Sequence, residues 1–195
     1  MKDILKLGLT LAIFSTVACV ALAFVYTGTA RIISQRQQAD LDAALGELFP
    51  DADGFAEITG GLQSPDPAVS FEAAYEARKD SRPVGAALRV SRGSYGGPLK
   101  VLIGVSAEGR ISGVRILEHQ DTPGLGANAA SPSYFVDRAG GITFTGQFTG
   151  KAVADPFEVK NDVEAITAST ITSKAVADAV KAAGSAATNY LGGRR

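Results

Sequence analysis

The sequence between Leu7 and Ala30 contains 24 consecutive residues and no charged side chain. A helix needs about 20 apolar residues to cross the roughly 30 Å hydrocarbon core of a bilayer. Tyr26 lies near the end of this stretch, where aromatic side chains favour the membrane interface. We therefore expect a transmembrane helix over residues 7–26, in an N-terminal anchor segment that comprises residues 1–30.

Two other roles for this stretch are open. A cleaved signal peptide would end at small residues such as Ala21–Ala23 or Gly28–Ala30, and a lipoprotein would carry its lipid on Cys19. The stretch is long for a signal peptide, which favours a retained anchor with Cys19 as a small apolar side chain inside the helix. Two basic residues stand on each side of the stretch, so charge leaves its orientation in the membrane open.

The overall composition excludes several classes of protein. With 19 basic and 20 acidic side chains the net charge is −1, which argues against a nucleic-acid-binding protein. A single cysteine and a single histidine cannot form a disulfide within the chain, or a metal centre built on Cys and His ligands. Any redox chemistry of this chain would therefore depend on a cofactor that needs no such ligands.

The pattern beyond the anchor predicts an α+β fold. Apolar spacing in 31–50 predicts a helix, ended by Pro50, that connects the anchor to the domain or forms the first helix of the domain. Gly, Pro and Asp residues in 51–67 predict a loop. Four strands of an antiparallel sheet follow, joined by polar or glycine-containing turns, and they are predicted at 69–78, 83–91, 99–106 and 110–119.

Helical and extended segments complete the predicted domain, which comprises residues 51–195. A Ser-Pro pair indicates a short helix over 131–139. Alternating apolar residues in 140–151 predict a strand or an extended loop. Apolar residues recur at helical spacing in 171–191, so a C-terminal helix that begins near Thr170 should pack its apolar stripe on the sheet.

Hydroxyl side chains cluster at the start of that C-terminal helix. Five of them occur within seven residues: Thr167, Ser169, Thr170, Thr172 and Ser173. A helix N-terminus presents unpaired N–H groups and a partial positive charge, which suit a phosphate, and hydroxyl groups can add further hydrogen bonds. The cluster therefore predicts a phosphate-binding site, unless the hydroxyls only cap the helix and face water.

A second candidate site is the loop that follows the fourth strand. Residues 118–128 read EHQDTPGLGAN, and Pro123, Gly124 and Gly126 impose a tight backbone course. Glycine also allows backbone N–H groups to approach a ligand closely. The loop is either a ligand-binding segment or a structural turn.

Both segments resemble motifs of the FMN-binding domain family. The stretch EAITASTITSKAV resembles the flavin-attachment motif Asp-x-x-Ser/Thr-Gly-Ala-Thr, with Glu164, Ala168 and Ser169 as departures from it. EHQDTPGLG resembles the Glu-Thr-Pro-Gly-Leu-Gly loop, with Asp121 in the first position. With the N-terminal helix, the two motifs resemble the RnfG family of the Rnf electron-transport complex over nearly the whole chain. The related C-type flavin component of the sodium-pumping NADH:quinone oxidoreductase is similar and usually longer.

The resemblance implies where a cofactor binds. In the family, FMN is joined through its phosphate to the last threonine of the motif, which is Thr170 here, so the chain would be a covalent flavoprotein and a phosphoprotein. The implied site comprises Thr170, Thr167, Ser169, Thr172, Thr122, Leu125 and Gly126. Thr167 and Thr172 are the alternative acceptors. Tyr95 is a further candidate for stacking on the flavin ring, whereas His119 is more simply a surface or core residue.

By the same resemblance, the chain would be an electron-transfer subunit, without a catalytic centre of its own, in a membrane-bound ferredoxin:NAD oxidoreductase that translocates ions. The implied partners are the other Rnf subunits, the membrane and a flavin transferase during maturation, with no nucleic acid and no metal. The implied location is the bacterial inner membrane, crossed once, with the FMN-binding domain on the periplasmic or exterior side. The alternatives are the C-type flavin component of a sodium-translocating NADH:quinone oxidoreductase and a membrane-anchored binding protein without flavin.

Overall fold

The structure is a computed structural model that describes residues 2–193, and the chain divides into two compact units, Met1–Asp42 and Ala43–Arg195. Helix α1 (Lys2–Leu48) begins in the first unit, and its last turns belong to the second. Within the first unit the large apolar side chains from Ile4 to Ile33 are exposed, and the helix is long and apolar enough to cross a membrane. The helix has no break near residue 30, where the sequence suggested a boundary, and it ends before Pro50 as expected.

The second unit contains an antiparallel sheet of five strands in the order β1-β2-β3-β4-β5. The strands are β1 (Gly54–Glu57), β2 (Val69–Lys79), β3 (Arg82–Gly93), β4 (Pro98–Ser106) and β5 (Ile111–Glu118). Each strand pairs with the next one along the chain, as expected of a meander built from short turns. The α+β fold class and the four predicted strands are confirmed.

Helix α2 (Thr170–Gly192) covers one face of this sheet. Its inward face is rich in alanine, and small side chains let the helix approach the central strands closely. Val176, Val180 and Leu191 lie in the same core as Leu88 of β3 and Ile103 of β4, and all five side chains are buried. The predicted start of the C-terminal helix is therefore confirmed, and burying this apolar stripe is its main source of stability.

On the other face of the sheet, three glycines leave space for other residues to pack: Gly85, Gly104 and Gly113. Successive side chains of a strand point to opposite faces, so Gly104 faces away from Ile103 and the α2 core. A Cβ atom at Gly85 would come within 2.4 Å of the Phe49 ring, and one at Gly113 within 2.7 Å of Leu48. The glycines thus create the space into which the end of α1 and the following residue pack, and both faces of the central strands are buried.

Three connecting segments differ from the sequence-based predictions. The predicted loop 51–67 contains the edge strand β1, which is only four residues long and contains glycine, so its local signal is weak. The predicted helix over 131–139 is wrong: a 3₁₀ turn precedes it at Gly126–Ala130, and strand β6 (Phe135–Asp137) lies within it. The Ser131 hydroxyl accepts a hydrogen bond from the Ser133 N–H, which stabilises a local turn in place of a helix.

The segment 140–151 is extended only at its start. Strand β7 (Ile142–Thr143) pairs with β6, and a 3₁₀ turn follows at Gly146–Phe148. The Thr143 hydroxyl accepts a hydrogen bond from the Gly146 N–H, which closes this turn. Phe144 and Phe148 are both fully buried, so the apolar alternation reflects burial in the core without a long strand.

Candidate functional site

Three segments of the second unit meet around a cavity of about 440 Å³, a size typical of a small-molecule site. They are the turn between β3 and β4, the loop after β5 and the start of α2. The lining residues are Tyr95, Asp121, Thr122, Leu125, Gly126, Ala168, Ser169, Thr170, Ile171 and Thr172. The structure therefore brings together both segments that the sequence singled out, although they are well separated along the chain.

The start of helix α2 faces this cavity without a side-chain cap. Ser169 occupies the N-cap position, but its side chain accepts no hydrogen bond from the first turn of the helix. The Ser169 hydroxyl lies instead 3.1 Å from the Thr172 hydroxyl, to which it donates. The first N–H groups of a helix have no partner within the helix, so an uncapped start leaves donors and the positive end of the helix dipole at the cavity.

The five clustered hydroxyls take different positions. Thr170 is exposed on the cavity wall, whereas Thr172 is fully buried and Ser169 is 8% exposed. Ser173 is also fully buried: its hydroxyl accepts a hydrogen bond from the Ile166 N–H at 2.9 Å and donates to the Ser169 carbonyl at 2.9 Å. Its role is therefore to hold the chain before the helix.

Thr167 is exposed but does not line the cavity. Its N–H donates to the Tyr134 hydroxyl at 3.1 Å, and that hydroxyl lies 3.5 Å from Thr167 Oγ1. Of the residues named from the sequence, Thr122, Leu125, Gly126, Ser169, Thr170 and Thr172 lie on the cavity wall. Tyr95 also lies there and is 74% exposed, and His119 does not line the cavity.

A buried carboxylate connects the loop after β5 to the start of α2. Asp121 is 6% exposed, and its Oδ1 accepts a hydrogen bond from the Gly96 N–H at 2.7 Å. Ser94 Oγ lies 2.7 Å from Asp121 Oδ2 and 3.1 Å from Thr172 Oγ1. Because Ser94 has one hydroxyl hydrogen and a carboxylate only accepts, that hydrogen goes to Asp121, and the Thr172 hydroxyl is left to donate to Ser94.

These contacts form a hydroxyl relay from Ser169 through Thr172 and Ser94 to Asp121. With the Ser94 hydrogen assigned to Asp121, Thr172 donates to Ser94 and Ser169 donates to Thr172, so the assigned hydrogens run toward the carboxylate. Sequence reasoning noted Asp121 only as a departure from a motif and did not single out Ser94. The signal in the sequence was an acidic residue directly before a Thr-Pro-Gly turn, but its partner lies 27 residues away in the chain.

The loop after β5 approaches the helix so closely that Gly126 leaves no room for a side chain. A Cβ atom there would lie 2.6 Å from Thr172 Oγ1 and 2.7 Å from Asp121 Cβ. Backbone hydrogen bonds from Leu125 and Ala127 to the Thr122 carbonyl, at 3.1 and 3.3 Å, fix the tight turn before it. The absence of a side chain at Gly126 therefore sets how the loop and the helix meet.

Ala168 has a backbone conformation that favours glycine. Its φ angle is +58°, in the left-handed region, where an L-residue with a Cβ is strained by about 1–2 kcal/mol. This is the position at which the attachment motif carries glycine. The strain is located at a residue of the cavity wall, two positions before Thr170.

Exposed apolar side chains surround the mouth of the cavity. Tyr95 is 74% exposed, Leu125 42% and Ile171 57%. The prediction that Ile171 belongs to the buried stripe of the C-terminal helix is wrong, because Ile171 lies in the first turn of α2, which extends past the sheet to the cavity. The mouth thus offers flat apolar surface beside polar helix-terminal donors.

The segment that leads into the helix is held by an ion pair. Asp162 Oδ2 lies 3.1 Å from Lys151 Nζ, and the Asp162 carboxylate also accepts from the N–H groups of Phe157 and Glu158. Burial raises the pKa of Asp162, but the hydrogen bond from the Glu158 N–H, together with the bond and charge of Lys151, brings the pKa below its ordinary value. Among residues 2–193 no cluster of His, Cys, Asp and Glu suited to a metal ion is present.

Two family models match this chain. The FMN-binding domain family matches residues 94–185, a range that includes the whole cavity wall, and the N-terminal region of the RnfG family matches residues 1–48. The crystal structure of Shewanella oneidensis NqrC has a TM-score of 0.48 and 17% identity, covering 67% of this chain and 72% of that chain.

Three relatives are similar over nearly their full length, and each is the G component of its complex. That of the Na⁺-translocating ferredoxin:NAD⁺ oxidoreductase complex of Acetobacterium woodii is 32% identical, over 92% of this chain and 89% of that protein. The G component of the proton-translocating ferredoxin:NAD⁺ oxidoreductase complex of Clostridium ljungdahlii is 30% identical, over 99% of this chain and 96% of that protein. The G component of the ion-translocating oxidoreductase complex of Methanosarcina acetivorans is 32% identical, over 93% of each chain. The chain therefore belongs to the RnfG family of ion-translocating oxidoreductase (Rnf) complexes, and its second unit contains an FMN-binding domain.

Proposed function

We propose that this chain is the electron-transfer subunit of an Rnf-type ferredoxin:NAD oxidoreductase, and that it carries FMN joined through its phosphate to Thr170. The observation that carries the proposal is the exposed hydroxyl of Thr170 at an uncapped helix start, on the wall of a 440 Å³ cavity. When bound, FMN supplies one- and two-electron transfer, which none of the side chains described around the cavity supplies.

Exposure selects Thr170 among the hydroxyls of the motif. An acceptor hydroxyl has to reach an incoming phosphoryl group. Thr172 is fully buried and held between two other hydroxyls, and Ser169 is nearly as buried. Thr167 is exposed, but it lies beside Tyr134 and outside the cavity wall. Thr170 is the one hydroxyl of the four that is both exposed and on that wall.

The chemistry of the wall fits a phosphate-linked flavin. The uncapped N–H groups at the start of α2 would donate hydrogen bonds to the phosphate oxygens, as helix N-termini do for anions. Leu125, Ile171 and Tyr95 would cover part of the flavin ring with apolar surface, and Thr122 would lie beside the ring or the ribityl chain. These residues bind and orient the group.

The remaining parts of the proposal concern the assembly. The exposed apolar helix of the first unit would anchor the chain in the bacterial inner membrane by a single span. The FMN-binding domain would face the periplasm or the exterior. A flavin transferase would install the group from FAD: a bond forms between the Thr170 oxygen and the FMN phosphorus, the pyrophosphate bond of FAD breaks, AMP leaves, and the hydroxyl proton is released. The other Rnf subunits would be the electron-transfer partners, in a complex that couples electron transfer to ion translocation.

The test compares two threonines three residues apart. The full chain is produced with a flavin transferase, as wild type, Thr170→Val and Thr167→Val, and flavin fluorescence is recorded in denaturing gels. We expect fluorescence from the wild type and from Thr167→Val, and none from Thr170→Val. Mass spectrometry of the tryptic peptide 161–174 should place the FMN phosphodiester on Thr170. Fluorescence that survives in Thr170→Val, or a wild type without flavin, would contradict the proposal.

A further inference from the structure

Asp121 is the only charged side chain among the described residues that line the cavity. A site for a phosphate normally contains Arg or Lys, whose charge offsets that of the ligand. Lys174 lies one helical turn beyond Thr170, but it is exposed and is not part of the cavity wall. The positive potential at this site therefore comes from the helix terminus, and the charged side chain on the described wall has the same sign as a phosphate.

The buried position of Asp121 lets its negative charge act strongly on the start of α2. The carboxylate is buried beside the first turn of α2, and both of its oxygens accept hydrogen bonds, from Ser94 and from the Gly96 N–H. It is in the same relay as Thr172, which belongs to that first turn. A buried charge is weakly screened, so it already offsets part of the positive end of the helix before any ligand binds.

The hydroxyl relay also makes the cavity wall less favourable for a phosphate. Its hydrogens are directed from Ser169 to Thr172, then to Ser94 and finally to Asp121. Ser169 therefore presents lone pairs to the cavity, and a phosphate oxygen gains no donor from it. The backbone N–H groups at the start of α2 are left as the donors of this part of the wall.

Two forms of the flavin phosphate differ in charge. A phosphomonoester such as free FMN carries between about −1.5 and −2 at pH 7, because its second pKa is near 6. A phosphodiester carries a single negative charge. A wall whose positive potential comes from one helix terminus, and which already contains a buried carboxylate, suits the single charge better.

We propose that Asp121 is a specificity-determining residue that makes this cavity accept a flavin phosphodiester and reject the free phosphomonoester. The inference rests on the proposed function, since the diester is the form that exists once FMN is joined to Thr170. Rejection of free FMN keeps the Thr170 hydroxyl accessible until the covalent bond is made. It also explains why the group has to be attached covalently, because the cavity alone retains FMN poorly.

The test measures non-covalent binding to the full-length Thr170→Val variant in detergent. The probes are FMN, the methyl ester of FMN, which is a diester with one charge, and riboflavin, which has no phosphate. Quenching of flavin fluorescence gives each dissociation constant. We expect the methyl ester to bind about tenfold more tightly than FMN although it is larger, which corresponds to about 1.4 kcal/mol. Equal affinities, or no binding of the ester, would overturn the inference.

A second variant assigns the effect to Asp121. Adding Asp121→Asn to Thr170→Val removes the charge and keeps an oxygen that can accept from the Gly96 N–H. We expect the affinity for FMN to rise about tenfold, that for the methyl ester to rise about threefold, and that for riboflavin to stay within about twofold, because the removed charge acts on the phosphate. An unchanged ratio between FMN and its ester would overturn the role of Asp121.

A matched control distinguishes the effect of the Asp121 charge from the effect of the hydroxyl relay. Ser94→Ala in the Thr170→Val background breaks the relay and leaves the Asp121 charge, so the ratio of FMN to ester affinity should stay within about twofold. If the Asp121→Asn protein does not fold, the comparison of FMN with its ester in Thr170→Val alone still decides whether the cavity prefers the diester, and equal affinities overturn the inference. The proposed function is judged separately, by whether the wild type carries covalent flavin.

Discussion

Replacing Ala168 by glycine should stabilise the protein. The φ angle of +58° costs an L-residue about 1–2 kcal/mol, and glycine in the unfolded chain costs about 0.4–1 kcal/mol in added conformational freedom. The difference predicts a net gain of about 1 kcal/mol for Ala168→Gly. For a folded unit of about 150 residues, such as Ala43–Arg195, this gain corresponds to an increase in Tm of about 2–4 °C.

The measurement is thermal unfolding of the full chain in detergent, followed by near-UV circular dichroism and tyrosine fluorescence, since the chain contains no Trp. Ala154→Gly is the matched control, because Ala154 is also an exposed alanine outside helix and strand, and it is not among the residues with positive φ. We expect Ala154→Gly to lower stability by about 0.4–1 kcal/mol. If Ala168→Gly lowers stability by the same amount, the assigned strain at Ala168 is refuted.

Three further predictions concern the packing around the cavity. Gly126→Ala should destabilise the protein by about 1–3 kcal/mol and reduce flavin incorporation, because its Cβ would overlap Thr172 Oγ1; chemical unfolding and in-gel fluorescence measure both effects. Ser173→Ala should cost about 1–3 kcal/mol in chemical unfolding, because the Ile166 N–H loses its acceptor, and a loss below about 0.5 kcal/mol would refute this. The pKa of Asp162 is lowered in the folded state, so the stability lost in Asp162→Asn should be constant above the ordinary pKa of 3.8 and shrink as pH falls through the lower folded pKa. Unfolding at about pH 6 and about pH 3 tests this, and an equal difference at both values would contradict it.

The elements that the sequence predicted well are those with strong local signals. The start of α2 follows from a helical apolar stripe, and the hairpin between β4 and β5 follows from the glycine of its turn. Gly109 has a φ of +76°, the conformation for which glycine is favoured in such turns. The first part of helix α1 follows from the uncharged stretch, because a long apolar segment has few alternatives to a helix, and its remainder follows from the apolar spacing in 31–50.

The elements that were missed depend on tertiary contacts. Strand β1 forms only because β2 offers an edge to pair with, and the segment 131–139 forms local hydroxyl-stabilised turns where a Ser-Pro pair suggested a helix. Two of the three segments that form the cavity were identified from the sequence, but the relay that joins them was not. Ser94 and Thr172 are 78 residues apart, and no spacing rule relates a serine in a glycine-rich turn to a threonine in a helix.

If flavin is attached to Thr170 as proposed, the buried hydroxyl of Ser173 bears on the order of folding and attachment. It binds the N–H of Ile166 and the carbonyl of Ser169, and so folds the segment before Thr170 back onto the first turn of α2. An enzyme that needs Thr170 in an extended peptide would have to break both bonds or modify the chain before it folds. An enzyme that recognises the assembled cavity would require folding first. Modification of urea-unfolded chains compared with native ones would therefore reveal which substrate the transferase recognises.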